Sequence, residues 1–133
     1  MMKIAINGFG RIGRSVFRIL EERDDMQVVA INDVSAFDAL RYLLSYDTVM
    51  GPFGKALSLE DDHFVTAKGR VKLYSERNPA ALPWAELGVD AVIEATGVFR
   101  KREQLEQHLA AGAGRVLLTV PAKDAIDYTV VLG

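Results

Sequence analysis

The 133 residues fall within the size of one ordinary domain, below the length at which cores usually split in two. Half are apolar and 26% charged, a balance that excludes collagenous, low-complexity and disordered classes. The net charge of −2 argues against a nucleic-acid partner, because the one dense basic run, Arg100-Lys101-Arg102, sits beside Glu103 and reads as a solvated helix start.

Cysteine is absent, so disulfides, cysteine zinc sites, iron–sulfur clusters and thiol nucleophiles are excluded within these residues. His63 and His108 lie far apart and neither has a partner at metal-ligand spacing, so no metal site is expected and both histidines are expected at the surface or partly packed. The N-terminus enters a strand pattern at once, without a charged start and apolar signal region, and no run of about 18 apolar residues follows. These features predict a soluble cytoplasmic protein with no membrane partner.

Lys3-Ile4-Ala5-Ile6 reads as a strand that stops at Asn7-Gly8, and Arg11 to Glu22 then carries Ile12, Val16, Ile19 and Leu20 at helical spacing. After a polar run, Gln27 to Ile31 reads as a second strand, apolar enough to be buried on both faces as in a parallel sheet. Ala36 to Tyr46 predicts an amphipathic helix through Phe37, Leu40, Leu43 and Leu44, broken by Gly51-Pro52-Phe53-Gly54. Three short alternating runs, Ala56 to Leu59, His63 to Thr66 and Val71 to Tyr74, predict an antiparallel hairpin excursion.

The α/β rhythm returns with a strand at Val89 to Glu94, a helix from about Lys101 to Ala111, and strands at Arg115 to Leu118 and Tyr128 to Leu132. No repeat of 20 to 50 residues is present. The pattern predicts an α/β fold of Rossmann type, a doubly wound, mostly parallel sheet with an antiparallel excursion. The chain stops at Gly133 directly after an apolar strand, which suggests a piece cut from something longer.

Gly8-Phe9-Gly10-Arg11-Ile12-Gly13 is a G-x-G-x-x-G that follows a strand and opens a helix, the context in which it signals dinucleotide binding. Gly8 permits the tight turn, Gly10 lets the pyrophosphate approach the backbone, and Gly13 lets helix and strand pack closely. The helix N-terminus then offers unpaired N–H groups to the anion. Asp33, twenty positions after Gly13 at the end of the second strand, is placed to accept hydrogen bonds from the adenosine ribose and to repel a 2′-phosphate, so NAD is favoured over NADP.

Thr96 and Gly97 follow the Val89 to Glu94 strand, and the carboxyl ends of strands in a doubly wound sheet face the ligand crevice. Thr119, after the next strand, falls near the nicotinamide half by the same rule. Trp84 reads as core and the acidic run Glu60-Asp61-Asp62 as a solvated hairpin tip. No Ser/His/Asp or Cys/His set and no acid/base pair of carboxylates stands out, so no catalytic residue is assigned.

Ile6 to Arg14, Ala30-Ile31-Asn32-Asp33, Tyr46-Asp47-Thr48, Glu76-Arg77-Asn78-Pro79 and Ala95-Thr96-Gly97-Val98-Phe99 together resemble the NAD-binding domain of the glyceraldehyde-3-phosphate dehydrogenase family, over essentially the whole chain. The resemblance implies that Arg11 and Ile12 bind pyrophosphate through backbone N–H groups, that Asp33 binds the adenosine ribose and that Arg77 lies near the adenine. It also implies that Thr96, Gly97, Phe99 and Thr119 line the cofactor groove. Thr119 stands where the family usually has Ser and keeps the hydroxyl; Arg77-Asn78-Pro79 stands where many members have Arg-Asp-Pro.

The family's reaction uses a cysteine thiolate, a histidine base, hydride transfer to NAD and phosphate attack on a thioester. Those catalytic and phosphate-binding residues follow in a catalytic domain that these 133 residues do not include. The resemblance also implies a homotetrameric parent. Erythrose-4-phosphate dehydrogenase shares the motifs, although that subfamily tends to carry Glu at the position of Asp33. A semialdehyde dehydrogenase of Rossmann type and a non-catalytic nucleotide-binding module are the other readings.

Overall fold

A computed structural model describes residues 1–47, 51–52, 57–97, 102–119 and 131–132. Strand β1 (Met2–Asn7) leads through the glycine turn into α1 (Arg11–Glu21), which returns the chain to β2 (Met26–Asn32). Helix α2 (Phe37–Ser45) follows, then a two-residue ribbon of β3 (Tyr46–Asp47) and β4 (Gly51–Pro52) that pairs apart from the main sheet. The ribbon lies where the sequence suggests only a break.

The excursion is a meander, β5 (Leu57–Glu60), β6 (His63–Thr66) and β7 (Gly69–Tyr74), with both pairings antiparallel as expected. Its last strand pairs in parallel with β2, so the meander extends the main sheet. A 3-10 turn at Pro79–Ala81 and short helix α3 (Trp84–Leu87) lead to β8 (Ala91–Glu94), α4 (Arg102–Ala110) and β9 (Arg115–Leu118). Strand β8 starts two residues later than the apolar run suggests. Of the expected strand Tyr128 to Leu132, residues 128–130 lie outside the described residues, and β10 (Val131–Leu132) pairs antiparallel with β9.

The eight-stranded sheet has the order β10-β9-β8-β1-β2-β7-β6-β5, with every pairing from β9 to β7 parallel. The chain builds outward from β1 to β2 and β7, then crosses back to the other side of β1 with β8. Strand order therefore reverses between β1 and β8, and their carboxyl ends flank the topological switch point at which such sheets bind ligands.

Alternation along the central strands separates two cores. Ile4, Ile6 and Ile93 face Phe17, Leu20, Leu40 and Leu44 of α1 and α2, while Ala5, Ala30 and Val92 face Leu82 and Trp84 on the opposite side. Trp84 is fully buried, as expected. His108 departs from expectation: it is completely buried in α4, with Nδ1 accepting from Trp84 Nε1–H at 3.0 Å and Nε2 lying 2.8 Å from Glu94 Oε1. A ring at the polar edge of an otherwise apolar interface can be enclosed because both nitrogens have partners.

The acidic hairpin tip is also only partly solvated. Asp61 is exposed in a left-handed conformation, whereas Asp62 pairs with Lys72 and stands 2.9 Å from His63 Nδ1. The hydrogen bond from Lys72 holds the Asp62 carboxyl below its ordinary range. The pair therefore supports the meander above the unfolded carboxyl pKa of about 4 and loses that support as pH falls through the lower folded value.

Lys68, in the β6–β7 turn, places its ammonium against the carbonyls of Leu20, Arg23 and Met26 at 3.1, 2.5 and 2.6 Å. It closes the negative end of α1 and ties the meander to the α1–β2 crossover. Lys68→Met keeps the stem but removes these bonds, and is expected to cost about 1.5–3 kcal/mol, the range for hydrogen bonds to charged groups. Urea unfolding checks it: a midpoint unchanged from the parent would show that the three carbonyls are as well served by water.

Candidate functional site

The carboxyl ends of β1, β2, β7 and β8 surround a groove of about 380 Å³ lined by Asn7, Gly8, Gly10, Asn32, Asp33, Val34, Glu76, Arg77, Ala95 and Thr96. Four strand-to-loop junctions thus supply one site, as expected where the strand order reverses.

The three glycines of the first turn do different physical work. Gly8 has φ +96°, and a Cβ there would lie 2.6 Å from Thr96 N, so the β1 and β8 turns touch backbone to backbone. Gly13 sits in the first turn of α1, where a Cβ would come 2.1 Å from Gly8 O. At Gly10 a Cβ would meet nothing within 4 Å, since that residue faces the open groove. Phe9 is buried between them and packs edge-on against Phe17 at 5.7 Å, which pins the loop to the core.

Helix α1 begins at the groove with Gly10 as its N-cap, no side-chain cap and no acidic residue in its first turn. The backbone N–H groups of Arg11, Ile12 and Gly13 precede the first intrahelical bond, from Arg14 N to Gly10 O at 2.9 Å. The positive end of the helix dipole therefore lies at the Gly10 turn.

Asp33 follows β2 directly and joins two pieces of the wall. Its Oδ2 accepts the Phe9 N–H at 2.7 Å and its Oδ1 accepts the Ser35 N–H at 2.9 Å. A carboxylate has about four acceptor positions, so two remain for a ligand's hydroxyls.

The expected residues Gly8, Gly10, Asp33, Arg77 and Thr96 meet in the groove. Gly13 packs against the glycine loop at Gly8 O, and Arg11 and Ile12 contribute the helix start with exposed side chains. Gly97, at φ +74° with open space around it, continues the β8 turn. Thr119 directly follows β9 next to β8, where its Oγ1 donates to Glu94 O at 2.9 Å. Phe99 lies outside the described residues, as does Thr48 of the resemblance. Asn7, Asn32, Val34 and Glu76 also line the groove and carried no expectation, although the first two end their strands as polar residues in an apolar series.

A parallel sheet that switches order above a glycine-rich turn, with a free helix start and an acidic residue after the second strand, defines a dinucleotide-binding domain of Rossmann type. A sequence model described as "Glyceraldehyde 3-phosphate dehydrogenase, NAD binding domain" matches residues 2–102. The chain belongs to this family, and NAD is the cofactor its domain takes.

Curated relatives agree. The chain is 47% identical to the glyceraldehyde-3-phosphate dehydrogenase of Streptomyces coelicolor, with 99% of this chain and 39% of the relative covered. It is 49% identical to that of Thermotoga maritima and 50% to that of Kitasatospora aureofaciens, with 100% of this chain and 40% of each relative covered. The chain thus spans about 40% of the length of the relatives it matches. Among the described residues no helix is long and apolar enough to cross a membrane.

The glycine geometry separates binding from folding. Gly10→Val should abolish the rise in melting temperature produced by NAD and leave the nucleotide-free melt within about 1–2 kcal/mol of the parent, an ordinary single-substitution effect. Gly13→Val, which drives a side chain into Gly8 O, should lose cooperative folding. Thermal melts with and without NAD distinguish them, and a Gly10→Val protein still shifted by NAD would move the nucleotide away from this turn.

Proposed function

We propose that the chain is the NAD-binding part of a phosphorylating glyceraldehyde-3-phosphate dehydrogenase, which oxidises an aldehyde to an acyl phosphate in the cytoplasm as a homotetramer. The observation that carries the cofactor half of this reading is the placement of Asp33, bonded to the glycine loop and open to the groove. In this reading the N–H groups of Arg11 and Ile12 bind the pyrophosphate, Asp33 accepts the adenosine ribose hydroxyls, and Arg77 lies by the adenine. Thr96, Gly97, Phe99 and Thr119 line the path towards the nicotinamide.

Bound NAD supplies the hydride acceptor. The chain's own residues bind and orient it, and the 133 residues contain no cysteine to act as the thiolate nucleophile. The name of the relatives, all glyceraldehyde-3-phosphate dehydrogenases, supports the substrate assignment.

Calorimetry with NAD and NADP tests the site. NAD should bind more tightly, and Asp33→Ala should weaken it by about 1.5–3 kcal/mol. The same substitution also frees the Phe9 N–H, so NADP serves as the internal control. Loosening of the loop would weaken both nucleotides, whereas loss of the ribose contact falls on NAD alone. Equal affinity of the parent for both would overturn the role of Asp33.

Saturating NAD should stabilise the chain by about 2.7 kcal/mol at about 100 times its Kd. The chain by itself should form no NADH from aldehyde at any concentration, checked by absorbance on a preparation free of host enzyme.

A further inference from the structure

Three buried polar residues end adjacent parallel strands in matching register: Asn32 of β2 is level with Asn7 of β1, which is level with Glu94 of β8. The Asn7 amide joins the row, accepting from Asn32 Nδ2 at 2.7 Å and donating to Glu94 Oε1 at 2.7 Å. Asn7 and Asn32 line the groove, and Glu94 sits beside Asn7 at the next strand end.

Its hydrogen bonds run in one direction. Asn32 clamps the backbone of Glu76, taking Glu76 N–H on Oδ1 and giving Nδ2–H to Glu76 O, both at 2.8 Å. Asn32 then donates to Asn7, and Asn7 to Glu94. From the other side, the indole N–H of Trp84 can only donate, so His108 Nδ1 is an acceptor and the ring proton sits on Nε2, where it donates to Glu94 Oε1. Thr96 completes the set, giving its backbone N–H and its hydroxyl to Glu94 Oε2 at 3.0 and 2.6 Å. Four donors converge on two carboxylate oxygens, which matches their acceptor capacity.

We propose that Glu94 is a positioning residue that sets both walls of the groove. It holds the Thr96 turn directly and, through Asn7 and Asn32, the segment carrying Glu76 and Arg77. Thr96 and Arg77 line the groove on its β8 and β7 sides, and the row is the continuous polar connection beneath them. The inference rests on the groove being the NAD site only for its functional consequence, since the coupling itself is a property of the nucleotide-free chain.

Glu94→Gln is the decisive substitution, because a glutamine has one acceptor oxygen. Whichever way its amide lies, its NH2 faces donors, either Thr96 or the Asn7 and His108 pair. Amide hydrogen exchange by NMR on the nucleotide-free chain reads the two ends of the row. Thr96 and Glu76 N–H should both exchange at least about tenfold faster, while Ile31 and Val92 in the central strands keep their protection. Asn7→Ala, which cuts the row but leaves Glu94 bonded to His108 and Thr96, should accelerate Glu76 alone.

Acceleration of all amides together would show that Glu94 serves only global stability, and an unchanged Glu76 in either variant would overturn the coupling. Should Glu94→Gln not fold, Asn7→Ala still decides the far arm. Under conditions where Glu94→Gln is folded, its Kd for NAD should rise at least about tenfold, and an unchanged Kd would refute positioning. NAD binding that ignores Gly10→Val would instead refute the groove as the NAD site, leaving the exchange pattern to judge the row by itself.

Discussion

Among the described glycines, the tightest approach is at the β1–α1 turn, where a Cβ on Gly13 would lie 2.1 Å from Gly8 O. Gly8 touches the β8 turn on one side and Gly13 on the other, with no space for a Cβ at either interface. This contact fixes how deep α1 sits against the sheet and how near the β1 and β8 ends approach, and hence the width of the groove. Phe9 converts the loop between them into a buried anchor, so the start of α1 beside the groove is held on a rigid base. A site that binds an anion by backbone dipoles needs that rigidity, because dipoles that reorient freely solvate the anion no better than water.

Around that contact, the structure stores its polar chemistry at strand ends. A polar side chain in mid-strand would have to face an apolar helix, whereas at the last residue of a strand it meets other strand ends and the loops that follow. Asn7, Asn32 and Glu94 share one phase with Ala5, Ala30 and Val92 and so emerge on the same face of the sheet. Asp33, one residue beyond Asn32, borders the same groove and bonds to the glycine loop. Both residues of this dipeptide line the groove, Asn32 clamping the backbone of Glu76 and Asp33 bonding the glycine loop.

These particulars decide what could be read from the sequence. The glycine pattern, the strand before it and Asp33 were legible because each is local: a turn, a helix start and a fixed separation along the chain. The parallel order and the meander followed from alternation and turn residues for the same reason. The burial of His108 was not legible, because it depends on Trp84 and Glu94, which are 24 and 14 positions away, being brought to one point by the α3 and β8 packing. The β3–β4 ribbon was missed because two-residue strands carry no period. The polar endings of three apolar strands were visible in the sequence, but only the register of β2, β1 and β8 makes them a row.

The size of the core residues links this packing to the chemistry of the row. On the α1 face the central strands carry Ile4, Ile6 and Ile31, but on the other face they carry Ala5 and Ala30, which leaves depth for a large ring. Trp84 fills it, packed edge-on against Tyr74 at 6.3 Å and beside His108 at 6.2 Å. Because the indole can donate and never accept, filling that depth with tryptophan selects one tautomer of His108. A phenylalanine, smaller and without an N–H, would leave Nδ1 without a donor and the ring free to turn its proton away from Glu94. The small alanines of two strands thus determine, through one indole N–H, which atom of His108 carries the proton and which way the hydrogen bonds beneath the groove run.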